Sequence, residues 1–345
     1  MRIALTADPE IPVPPVHYGG IERIIDMLAR GLVERGHEVT VFAHPESTTA
    51  GRIVPWPGRA SGSKIDTVKN ATVLARHVLS DRFQLIHSFA RVAYLMPLLP
   101  LPIPKLMTYQ RKICRRSVGL GHRLSRGTLW FSAISRQMMQ GADDIGTWRL
   151  VHNGVPLPTY DFRADPGPEA PLVFLGRVEE IKGPHLAIEV ARRTAQRLVI
   201  AGNVPPEHSD WFKVMIEPHL DGEQISYVGP VTDAQKNDLL GHARAVLMPI
   251  LWEEPFGIVM AEAMACGTPV IGLARGAVPE VVEDGVTGFV ASDVDGLAAA
   301  VGRLTEIDRA ACRARVERLF SDSTFVDGYL AVYKEMLLNR KGRCP

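Results

Sequence analysis

Cysteine is scarce in this 345-residue chain, with only four present. Cys114, Cys266, Cys312 and Cys344 form no C-x-x-C pair and no metal-ligand spacing, which excludes a disulfide framework or a zinc ribbon and fits reduced thiols in the cytoplasm. Long apolar runs are missing as well. The most apolar stretch, Val92 to Met107, is broken by Pro97, Pro100, Pro102 and Pro104, so it does not read as a membrane span. The N-terminus, MRIALTADPE, has a strand pattern and not the layout of a signal peptide. Net charge is almost nil, formally +1 at pH 7, which argues against a general nucleic-acid binder. No G-x-G-x-x-G follows the first strand, so the dinucleotide fingerprint of a dehydrogenase is absent. No internal repeat recurs at a short fixed period.

What is present has a globular balance, with 46% hydrophobic and 22% charged residues, over a length that suits two domains. Arg2 to Ala7 reads as a first parallel strand. A proline-rich loop, Asp8 to Tyr18, leads to Gly19-Gly20, then to a helix with apolar residues at helical spacing (Ile21 to Arg35) and a second strand (Glu38 to Ala43). This is one βαβ unit whose glycine pair lets a ligand approach the backbone. Lys64 to Leu79 reads as a helix, and Gln84 to His87 as a buried strand that sets His87 at its carboxyl end. From Arg82 to Ala142 there is no acidic residue. Arg111, Lys112, Arg115, Arg116, Arg123 and Arg126 cluster there. A solvated basic face, a loop for an anionic acceptor and contact of the 105–126 segment with an anionic membrane surface are the open readings, the acceptor loop preferred. Leu129 to Ile134 is a further strand. Pro156 to Pro171 holds five prolines without a period and reads as a linker.

Beyond the linker, strands end repeatedly in glycine: Leu172 to Arg177 at Gly176, Arg197 to Ala201 before Gly202, and Ile225 to Val228 before Gly229. Helices are expected over Pro184–Arg193, Trp211–Leu220 and Asp233–Ala243. The stretch PILWEEPFGIVMAEAMACGTPVIGL, from Pro249 to Leu273, is the centre of this half. Strand (Ala245 to Ile250), loop, helix (Phe256 to Cys266) and strand (Thr268 to Leu273) place a helix start at a strand's carboxyl end, where open α/β sheets bind ligands. Amides of Phe256, Gly257 and Ile258 at that helix start suit a phosphate. Glu254 in the loop and Glu262, eight residues on, would accept hydrogen bonds from hydroxyls on either side of a diphosphate. Arg177 and Lys182, beside Gly176 and Gly183, would grip the diphosphate itself.

These residues resemble a known family. Glu254-Pro-Phe-Gly-Ile-Val-Met-Ala-Glu262 looks like the E-x7-E signature of the retaining glycosyltransferases of GT-B architecture (family four, glycosyl transferases group 1), and Gly176-Arg177 with Lys182-Gly183 matches that family's G-R-x4-K-G. The resemblance implies an α/β fold of two Rossmann-like domains with parallel sheets facing across a cleft. Residues 1–155 would form the acceptor-side domain, 156–171 the linker and 172–322 the nucleotide-sugar domain, with 323–345 a helix crossing back to the first. It implies transfer of a sugar from a nucleoside-diphosphate sugar (UDP, GDP or dTDP form) to a small-molecule, glycan or lipid-linked acceptor, with retention, in the cytoplasm, and with no cofactor and no metal. Arg177, Lys182 and Glu254 would be the catalytic residues. Gly19, Gly20, Gly176, Gly202, Gly229, Phe256, Gly257, Ile258 and Glu262 would join them around the donor. His87, Gln110 and Arg111 would lie on the acceptor side.

The chain departs from the family at Phe89 and Gln110, where relatives often carry histidines near the donor sugar's hydroxymethyl group, so a modified, deoxy or five-carbon sugar is expected. Ala277 replaces a glycine of the family's Gly-Gly-x-x-Glu. The rival readings are a nucleotide-sugar epimerase or hydrolase on the same fold and a non-catalytic nucleotide-sugar-binding module.

Overall fold

The computed structural model describes residues 1–15 and 19–341. The last part of the proline-rich loop, through Tyr18, and Cys344 lie outside the described residues. The chain divides into two compact units: unit 1 is Met1–Asn153 with Asp322–Pro345, and unit 2 is Gly154–Ser321.

Unit 1 is built on a seven-stranded parallel sheet. Its strands are β1 (Arg2–Thr6), β2 (Glu38–Ala43), β3 (Arg52–Pro55), β4 (Leu85–Ser88), β5 (Lys105–Tyr109), β6 (Leu129–Ala133) and β7 (Trp148–Leu150), in the order β3-β2-β1-β4-β5-β6-β7. Unit 2 has six parallel strands, β8 (Leu172–Leu175), β9 (Leu198–Ala201), β10 (Ile225–Gly229), β11 (Ala245–Met248), β12 (Val270–Leu273) and β13 (Gly288–Ala291), in the order β10-β9-β8-β11-β12-β13. The central strands LVFL, AVLM and VIGL are buried along their whole length. Apolar runs without alternation take this form because helices cover both faces of a parallel sheet.

In unit 1 the helix Gly20–Glu34 buries Ile24, Ile25, Leu28 and Leu32, each side chain contributing about 1.5–3 kcal/mol of transfer free energy. The terminal helix Asp322–Lys341 belongs to the same unit and buries Phe325, Val326, Tyr329, Tyr333 and Met336. Its Val326 packs so closely on the helix at Gly31 that a Cβ there would lie 2.5 Å from the valine methyl.

Several elements differ from the sequence expectation, each for a local reason. The segment expected as an acceptor-side loop is in fact helical from Arg115 to Ser125, since Val118, Gly121 and Ser125 bury one face. Arg115 is tied to Asp144 through two nitrogens, at 2.6 and 2.5 Å. Lys105, the first residue of the basic segment, is not a surface charge: it is fully buried in β5. Its ammonium donates to Leu101 O, Ile103 O and Thr128 Oγ1 at 2.8, 2.6 and 2.9 Å. The helix expected over Trp211–Leu220 ends at Met215, and a 3-10 turn at Glu217–His219 contains Pro218, which cannot continue an α-helix. The proline-rich stretch 156–171 packs on unit 2: Tyr160 is buried, and the Arg163 carbonyl accepts from Arg309 at 2.7 Å. No described helix is long and apolar enough to cross a membrane.

His87 requires a correction. It is fully buried, with Nδ1 2.6 Å from the Tyr333 hydroxyl and Nε2 2.6 Å from Thr108 Oγ1. Thr108 in turn meets Ser132 Oγ and the Tyr329 hydroxyl, at 2.5 and 3.2 Å. The histidine knots β4, β5, β6 and the terminal helix together, with both ring nitrogens engaged by protein hydroxyls. Burial holds its pKa well below 6.5. The folded state therefore keeps it neutral while the unfolded state takes a proton below about pH 6.5, and stability contributed above that pH is lost as pH falls, by up to about 1.4 kcal/mol per unit from this group. Chemical denaturation at pH 7.5 and 5.5 should show wild type losing more stability on acidification than His87→Gln. Equal losses in the two proteins would contradict this assignment.

Candidate functional site

In an open parallel sheet, the crevice for a ligand forms at the carboxyl ends of the two strands where the order reverses. In unit 2 those are β8 and β11, so the loops 176–183 and 249–257 flank it.

The two loops meet through side chains. Lys182 Nζ donates to Glu254 Oε2 at 2.5 Å, and the same oxygen accepts from Trp252 Nε1 at 3.0 Å. The ammonium also lies 4.7 Å from the Trp252 ring centroid, within cation–π range. Glu254 is only 8% exposed, so this carboxylate has shed most of its water and relies on those two donors. Lys182 and Glu254, singled out separately in the sequence, are thus one unit. Trp252, which organises both, went unnoticed there, although an aromatic two residues before the first motif glutamate was the available signal.

A third loop fixes the backbone of this arrangement. Ala277 N donates to Glu254 O, and Gly276 N donates to Glu253 Oε2, both at 2.8 Å. A Cβ on Gly276, whose φ is +56°, would lie 2.2 Å from Glu254 N. Ala277, which departs from the family's glycine, causes no conflict, because its role here is an amide donation that any residue but proline can make.

The helix Ile258–Ala265 starts at Gly257, and the first amides of a helix have no intrahelical partner. The Phe256 side chain packs edge-on against Phe320, with centroids 5.5 Å apart, and is core. Arg177 lies 2.8 Å from Glu179 Oε1, and that nearly buried glutamate also has His208 Nε2 3.4 Å from its other oxygen. Glu262, deep in the same region, accepts from the Tyr160 hydroxyl at 2.7 Å and from Lys236 Nζ at 2.6 Å, both on Oε1. Burial, reinforced by the charge of Glu262, pushes the Tyr160 hydroxyl far above the ordinary tyrosine range. Neither Tyr160 nor Lys236 was legible in the sequence: one lies in a stretch read as linker, the other among the polar residues of a short helix. Gly202 owes its identity to the fold, since at φ +137° its Cβ would fall 1.7 Å from Gly176 O. A Cβ on Gly176 would meet only the Phe174 ring, at 3.9 Å, and one on Gly229 would meet nothing within 4 Å.

In unit 1 the strand order reverses at β1 and β4. Gly19 and Gly20 open the helix that follows β1. Asp8, just past β1, has its pKa pushed up to about 6 by burial and by Glu10, with Arg111 and Arg91 pulling it down. Its Oδ1 is buried without a hydrogen-bond partner among the described residues. Glu22 is raised by burial and feels Asp8 and Arg111 too. Arg111 thus joins a mixed-charge group that includes three carboxylates the sequence reading passed over, Asp8, Glu10 and Glu22. Gln110 forms a reciprocal amide pair with Asn153, 2.9 Å each way.

One Asp-x-Asp occurs, at Asp293 and Asp295, and both are structural: Asp293 caps a helix by accepting from Gly296 N, and Asp295 pairs with Arg193. Among the described residues no three His, Cys, Asp or Glu are grouped as a metal site.

Residues 162–317 match the family model described as glycosyl transferases group 1, and residues 18–147 match that described as Glycosyltransferase Family 4. The chain is a GT-B glycosyltransferase of these families. Spore coat protein SA of Bacillus subtilis is 24% identical, over 86% of either chain. Glycogen synthase of Mycobacterium tuberculosis is 36% identical over 50% of this chain and 44% of its own length, so there the match spans under half of the relative. Among solved structures, sucrose-phosphate synthase from Thermosynechococcus elongatus superposes with a TM-score of 0.81 at 20% identity, covering 98% of this chain and 99% of that one. Anabaena HepE, in complex with UDP and glucose, superposes with a TM-score of 0.75 at 17% identity, covering 97% and 99%. These two likenesses establish the fold.

The clamp on the Glu254 loop yields a prediction for this glycosyltransferase. Gly276→Ala should cost about 2 kcal/mol more than Gly285→Ala, because both glycines have positive φ but only the first has backbone in the way. Thermal or urea melts of the two variants measure the difference, and equal melts would refute the clamp.

Proposed function

We propose that this glycosyltransferase moves a sugar from a nucleoside-diphosphate sugar to an acceptor hydroxyl with retention at the anomeric carbon, and without a metal. The observation that carries the reading is the Lys182–Glu254 pair, held by Trp252 at the carboxyl ends of β8 and β11. A cation confined beside a helix start, with Arg177 on the same loop, is what a departing diphosphate requires. Glu254 exchanges its hold on Lys182 for a sugar hydroxyl when the donor's phosphate arrives to take the ammonium. The bond between the anomeric carbon and the diphosphate oxygen breaks, the bond to the acceptor oxygen forms on the same face, and the acceptor proton passes to the leaving phosphate. Arg177 and Lys182 supply the positive charge that a metal supplies elsewhere. Glu262 takes the ribose hydroxyls.

The bound UDP of HepE supports a nucleotide donor. Phe89 is buried, 4.2 Å from His87 centroid to centroid, and Gln110 is engaged by Asn153. Neither offers the contact that a histidine would give a hydroxymethyl group, which supports a modified, deoxy or five-carbon sugar. The acceptor falls to unit 1, where Arg111 stands beside Asp8 and Glu22. The exposed Lys112, Arg116, Arg123 and Arg126 favour an anionic acceptor, a glycan or lipid-linked one included.

Lys182→Ala should leave the fold intact and lower turnover of a sugar nucleotide by roughly a hundredfold, the scale of removing one transition-state donor. Steady-state assay with a melting curve on the same sample tests this. An unchanged rate would take the phosphate role away from the lysine.

A further inference from the structure

We infer that Lys236 and Tyr160 are positioning residues that make this protein select ribonucleotide over 2′-deoxyribonucleotide donors, by locking Glu262 toward the ribose; the inference rests on the donor site proposed above. Three elements of unit 2 converge on one oxygen. Tyr160 comes from the segment that enters the unit, Lys236 from the helix Asp233–Gly241, and Glu262 from the helix Ile258–Ala265. The hydroxyl and the ammonium both donate to Oε1, at 2.7 and 2.6 Å. The ammonium also lies 5.6 Å from the Tyr160 ring centroid and 3.4 Å from Asp233.

The Lys236 and Glu262 side chains are 14% and 7% exposed, so both charges have left most of their water. A buried pair of this kind adds little to stability over an apolar pair of equal volume, which turns attention to what it does for the carboxylate. The lysine and the tyrosine hydroxyl both donate to one oxygen of the Glu262 carboxylate and so fix its orientation. With both protein donors on Oε1, Oε2 is the oxygen presented to a ligand. A helical side chain leans toward its helix N-terminus, here toward Gly257 and the loop that carries Glu254. A 2′-hydroxyl donating to a fixed, charged acceptor in that direction is a contact that a deoxyribose cannot make. The donor class is thereby narrowed to ribonucleoside diphosphate sugars, of the UDP or GDP kind, and dTDP forms are disfavoured.

Calorimetry with the diphosphates of uridine, guanosine and adenosine, each in its ribo and 2′-deoxy form, tests this on wild type, Lys236→Met and Tyr160→Phe. The wild type should bind its preferred ribo form about tenfold more tightly than the deoxy form, and both variants should reduce that ratio to below about threefold. Tyr160→Phe removes one oxygen and keeps the ring, so it serves if the lysine variant does not fold. Equal affinity of wild type for the two forms, or variants that weaken both forms alike or neither, would overturn the inference while leaving the donor site standing. Failure of wild type to bind any diphosphate would instead overturn the donor site itself.

Discussion

The account depends on one close ionic contact, the 2.5 Å bond from Lys182 to Glu254. Neither residue would be held there by its own strand. Lys182 sits in a 3-10 turn after β8, and Glu254 in a loop after β11. Because β8 and β11 are neighbours in the sheet though far apart in sequence, the turn and the loop emerge side by side. The indole of Trp252 then satisfies the carboxylate a second time, and the Gly276 loop holds its backbone. A buried pair of charges stabilises a fold poorly. What it provides is a cation and an anion held together on loops that the Trp252 indole and the Ala277 amide fix in place.

Most of unit 2 was legible in the sequence, for a physical reason. Short apolar strands buried on both faces, each ending in glycine, have few other ways to fold, and the Glu254 to Glu262 spacing ties loop to helix within one continuous segment. What was not legible were the partners drawn from elsewhere in the chain. Tyr160 lay in a proline-rich stretch whose composition suggests an unpacked linker, yet its ring is buried and its hydroxyl meets Glu262. Lys236 looks like any solvated lysine on a polar helix until the fold brings Glu262 beneath it. Contacts across 102 and 26 positions leave no periodic trace.

Unit 1 was harder to read, and the errors share a cause. Lys105 looked like part of a basic surface, and His87 like a ligand contact at a strand end. Both are buried polar groups with all their hydrogen bonds made internally. A polar residue in an apolar strand announces either a site or a satisfied core, and the sequence alone does not separate them, because the distinguishing carbonyls and hydroxyls come from other strands. Asp8 is the opposite case. It looked like a loop residue, and burial beside Glu10 pushes its pKa up to about 6.

The measurement that bears most directly on the central claim is the affinity of the unmodified protein for nucleoside diphosphates against the matching monophosphates, by calorimetry in the presence of a chelator. If Lys182 and Arg177 grip a diphosphate, at least one diphosphate should bind and should exceed its monophosphate by about tenfold or more, the worth of a charge-assisted contact. Equal affinity for the two, or no binding of any diphosphate, would contradict the account.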